Sequence, residues 1–112
     1  MTPSDLYTTL LTSLTNARSV LLSPAWINSL GNESIEVRVA AGNAGNQLQS
    51  AILTLSNESL GDIAADMQAN EADLTTCTKD LGAALTDVTK VQAVLSKITN
   101  VLNVVAKIVP LL

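Results

Sequence analysis

Residues 60–112 read LGDIAADMQANEADLTTCTKDLGAALTDVTKVQAVLSKITNVLNVVAKIVPLL, and this stretch decides the fold. Counting in sevens from Leu60 gives Leu60, Met67, Leu74, Leu81, Val88, Leu95, Leu102 and Val109 at position a. Position d holds Ile63, Asn70, Cys77, Ala84, Val91, Ile98, Val105 and Leu112. Asn70 is the polar exception in an otherwise apolar register. A stripe that keeps one phase over eight heptads predicts a continuous helix, 58–109, with a coiled-coil-like seam. Gly82 falls on the outer face and need not break it. Pro110 stops it. Such a helix would run roughly 75 Å at 1.5 Å per residue.

Charge divides this stretch in two. Residues 57–87 hold seven acids and one lysine, a net charge of -6. Residues 88–112 hold Lys90, Lys97 and Lys107 with no acid, a net charge of +3. Asp66, Asp73, Asp80 and Asp87 all occupy position g. In the basic half that position becomes Val94, Val101 and Ile108, so the apolar face widens. The expected interaction seam is therefore Val88, Val91, Val94, Leu95, Ile98, Val101, Leu102, Val105, Ile108 and Val109. Asn70 and the four-aspartate ladder are the candidates for specifying register. Seven-residue spacing sets neighbouring aspartates about 10 Å apart along the axis, too far to share a metal ion.

Upstream, Tyr7, Leu10, Leu11, Leu14, Ala17 and Leu21 recur at three- and four-residue spacing, which predicts a helix over 4–22. Thr2 or Ser4 can cap it, and Pro3 suits its first turn. Ser23-Pro24 opens a kinked linker, 23–32, in which Trp26 is expected to anchor a helix corner. Asn32-Glu33-Ser34 looks like a second helix start. Ile35, Val37, Val39 and Ala41 alternate as a strand would, but no second strand pattern exists to pair with them. The reading is a helix over 33–56, weakened by Gly42 and Gly45, turning back on 58–81 as an antiparallel hairpin. The expected fold class is all-α: a helical hairpin or three-helix bundle with one long C-terminal heptad helix, residues 1–112 forming a single domain.

Composition excludes much chemistry. The 112 residues contain no histidine and one cysteine. Zinc fingers, histidine-dependent triads and intramolecular disulfides are impossible. Cys77, at a d position, is expected to serve as a small core residue. Six basic residues against ten acidic give a net charge of -4, without the basic footprint of a nucleic-acid binder. The N-terminus has no lysine or arginine before Leu14, so it lacks the positive region of a secretory signal. The charge-free runs 19–32 and 39–57 are broken by Gly, Pro, Ser, Asn or Gln, so neither predicts a membrane span. The default compartment is cytoplasmic, with leaderless export left open.

These observations predict a non-enzymatic protein without cofactor or metal. It would act through self-association or protein–protein contact along the long helix. A homo-oligomer is expected, a dimer first. The alternative is a surface-active protein whose cationic segment 88–112 binds a membrane or hydrophobic granule.

Overall fold

A computed structural model describes residues 2–109. The chain is all-α, with six helices among these residues and no strand. They are α1 (Pro3–Leu21), α2 (Pro24–Leu30), α3 (Ile35–Asn57), α4 (Leu60–Ala69), α5 (Glu71–Ala84) and α6 (Val91–Val105).

The first three helices start where the sequence supplies a cap. The Thr2 hydroxyl accepts from the Asp5 N–H, and the Asp5 carboxylate accepts from the Thr2 N–H, closing a capping box ahead of Pro3. Ser23 caps α2, and Ser34 caps α3. The alternating segment 35–41 is helical. Its alternation is coincidental with helix geometry: Ala41 is buried, Val37 half-buried, and Ile35 and Val39 point outward.

The bundle is built around α1. Leu6, Leu10, Leu14, Ala17 and Leu21 are buried along it, and it packs against α3 on one side and α4 and α5 on the other. The Tyr7 hydroxyl donates to the Leu55 carbonyl at 2.9 Å, tying the start of α1 to the end of α3. Helix α6 closes the square by packing against both α3 and α5. The expected hairpin between 33–56 and 58–81 does not form, because α1 and α6 take the flanks of α3 instead. Trp26 is 1% exposed and anchors the corner beneath α2, as its setting predicted.

The long helix is the main correction. The expected helix 58–109 is three helices, kinked at Asn70 and reversed through residues 85–90. A straight helix of roughly 75 Å would also exceed the 43 Å longest dimension of the molecule. The cause is burial. A lone chain cannot leave the wide apolar face of 88–109 in water, and folding back lays that face into the groove between α3 and α5. Gly82 sits inside α5 and breaks nothing. The expected stop at Pro110, and Leu112 at the last d position, lie outside the described residues.

Candidate interaction surface

The expected seam belongs to the interior. Val91, Val94, Ile98, Val101, Leu102, Val105, Ile108 and Val109 are buried within one chain, while Val88 and Leu95 are half-buried. The seam therefore offers no free face to a partner in this conformation. Asn70 does not sit in a seam either. It occupies the kink between α4 and α5, where its side-chain amide donates to the Asp66 carbonyl at 2.8 Å. A local i to i-4 bond of this kind satisfies the amide without a partner helix.

The aspartate ladder is exposed on α4, on α5 and in the turn after α5. Reversal at 85–90 brings the acidic and basic halves of the heptad stretch side by side. Lys107 lies 3.8 Å from Asp73. Asp80, Asp87, Lys90 and Lys97 line one shallow groove on the same side. Acidic and basic halves therefore meet within one chain.

Residues with reactive side chains are few, and their surroundings quiet them. Cys77 is buried, with its Sγ 3.6 Å from the Leu74 carbonyl. Burial pushes its thiol above the ordinary value, and the nearby Asp73 and Asp80 charges add to this. A thiol held neutral is a poor nucleophile. Asp87 runs the other way. The Thr89 hydroxyl and backbone N–H donate to its carboxylate, and with the Lys90 charge they hold it below the ordinary value. Among the described residues, no group of three or more His, Cys, Asp or Glu side chains is placed to hold a metal ion. Among the same residues, no helix is long and apolar enough to cross a membrane.

The surface that stands out is the outer face of α3. Ile35, Val39, Gly42, Asn46, Gln49 and Leu53 follow a 4-3-4-3-4 spacing, which places them in one line along the helix. The buried line, Ala41, Ala44, Leu48, Ala51 and Leu55, lies on the opposite side. Ile35, Val39 and Leu53 are 64%, 58% and 56% exposed. No charged residue occurs from 39 to 57. Gly42 and Gly45 have open space beside them. The groove next to them is walled by Leu22, Trp26 and Leu30, and Leu22 is itself largely exposed. Sequence reading missed this line because 35–41 looked strand-like and the glycines broke the apolar count. The signal was present in the charge-free run and its regular spacing.

No protein-family model, curated protein or solved structure matches the chain.

Proposed function

We propose that the chain is a non-enzymatic helical interaction module that self-associates through the outer face of α3. One observation carries this reading. Three large aliphatic side chains stand exposed in a single charge-free line, on a protein that otherwise buries its apolar stripes. Exposed apolar side chains aligned on one helix face offer a surface for contact with a partner. The chemistry of the rest supports a binding role: a buried neutral thiol, a tyrosine hydroxyl engaged by a backbone carbonyl, and carboxylates spread over an exposed face. The variant Ile35→Ser/Val39→Ser/Leu53→Ser tests it. All three positions face solvent, so the bundle should fold as the parent does. Sedimentation should then show the parent as a concentration-dependent dimer and the variant as a monomer. A parent that stays monomeric at every concentration contradicts the reading.

A second reading is favoured by the composition of α6. Its buried face is wholly aliphatic, and Lys90, Lys97 and Lys107 flank it. A bundle that opened at 85–90 would offer this cationic amphipathic segment to a lipid surface or hydrophobic granule. Co-sedimentation with anionic vesicles, accompanied by exposure of Trp26, is the outcome that would favour it.

A further inference from the structure

The turn between α5 and α6 is unusual in what it lacks. Residues 85–90 read Leu-Thr-Asp-Val-Thr-Lys, with no glycine and no proline. Among the described residues no backbone φ is positive, so the reversal uses no conformation a helix-forming residue would refuse. The helices on either side are poorly delimited. Lys90 stands at the N-cap of α6 with no side-chain cap bond, and no acid occupies the first turn. A lysine there opposes the helix dipole. Helices α1, α2 and α3 each carry a bonded Thr or Ser cap. Backbone bonds from the Thr86, Asp87 and Lys90 N–H groups to the Ala83, Ala84 and Asp87 carbonyls shape the reversal, and on its exposed side Asp87 accepts from the Thr89 N–H at 3.1 Å and from its hydroxyl.

Meanwhile the heptad phase runs unbroken through the turn. Leu81, Val88 and Leu95 keep position a, and Ala84, Val91 and Ile98 keep position d. A hairpin imposes no such requirement, since its two arms need no common phase. A continuous helix does impose it.

We infer that α6 exchanges between two copies of this chain, with residues 85–90 straightening so that α5 and α6 form one helix. Each α6 then fills, in the other copy, the groove between α3 and α5 that it fills in its own. Complementarity is guaranteed, because every core contact of α6 is reused. The Asp73–Lys107 pair, 3.8 Å apart within one chain, re-forms between chains. The two joined helices run antiparallel and cross near Val88, so acidic halves face basic halves. The exchange loses the Asp87–Thr89 turn and gains helical backbone bonds through the hinge. This dimer is distinct from one made through the outer face of α3, and it does not depend on that reading.

The experiment is refolding from denaturant at micromolar and at millimolar chain concentration, followed by light scattering. Carbodiimide then joins Asp73 to Lys107 where they meet. Exchange predicts a dimer whose share rises with refolding concentration and whose cross-link yields covalent dimers on a denaturing gel. Asp87→Ala/Thr89→Ala, which removes the turn and favours helix, should raise the dimer share several-fold. Val88→Pro, at a residue outside the hydrogen bonds of the turn, should abolish it; a Gly-Gly insertion after Val88 does the same if the proline variant fails to fold. A dimer cross-linked only within chains overturns the inference. So does the absence of any dimer in both the parent and Asp87→Ala/Thr89→Ala.

Discussion

Lys107 Nζ lies 3.8 Å from Asp73 Oδ2, joining residues 34 positions apart across the α5–α6 hairpin. Both side chains are largely exposed, at 59% and 61%. The pair therefore orients the hairpin more than it stabilises it. Lys107→Ala should cost less than about 1 kcal/mol, and the loss should vanish in high salt. Denaturant titrations at low and high ionic strength check this.

The interior carries the stability. Leu14 on α1 and Ile98 on α6 are fully buried in the hydrophobic core. Leu14→Ala and Ile98→Ala should each destabilise by about 2–5 kcal/mol. For a protein of this size that is a large share of the total. Thermal melts followed by circular dichroism measure it. A loss below about 1 kcal/mol at either site would mean that the described core is wrong there.

Much of this core is legible in the sequence. The buried residues of α1 fall on the predicted stripe, with Leu6 added and Tyr7 and Leu11 moved to its edge. The heptad positions of 60–84 predict the buried side of α4 and α5, since Ile63, Met67, Leu74, Cys77 and Leu81 all point inward. The reversal at 85–90 was not legible. No residue there forbids a helix, and Lys90 is a poor place to begin one. What decides it is global: one chain alone must cover the face of 91–109, and only a turn achieves that. The outer line of α3 was hidden for a local reason. Gly42, Asn46 and Gln49 interrupt its apolar residues, so neither helix nor strand counting brought it out.

Gly42 sits on that outer line with open space where a methyl group would go. In the helix interior Ala is preferred to Gly by about 0.5–1 kcal/mol. Gly42→Ala should therefore raise the melting temperature of the monomer by a few degrees. If two α3 helices approach closely there, the same methyl should weaken self-association. Calorimetry and sedimentation on the same variant separate the two effects.

The thiol of Cys77 gives a pH dependence. Its folded value is raised above the ordinary 9.0 by burial first. The unfolded chain therefore ionises at lower pH than the folded one. Stability contributed by the neutral thiol is complete below 9.0 and is lost as pH rises toward the folded value. Cys77→Ala should remove this alkaline limb, at the cost of a small cavity. Urea midpoints measured from neutral pH up to strongly alkaline pH test it. Equal pH slopes for parent and variant would show that the thiol is not shielded as described.

Contact through the outer face of α3 is read out by amide chemical shifts followed on dilution. From millimolar to micromolar chain concentration, shifts should concentrate at Ile35, Val39, Gly42, Asn46, Gln49 and Leu53, with the acidic faces of α4 and α5 unchanged. Spectra that do not move over that range, or that move only on α4 and α5, would contradict it.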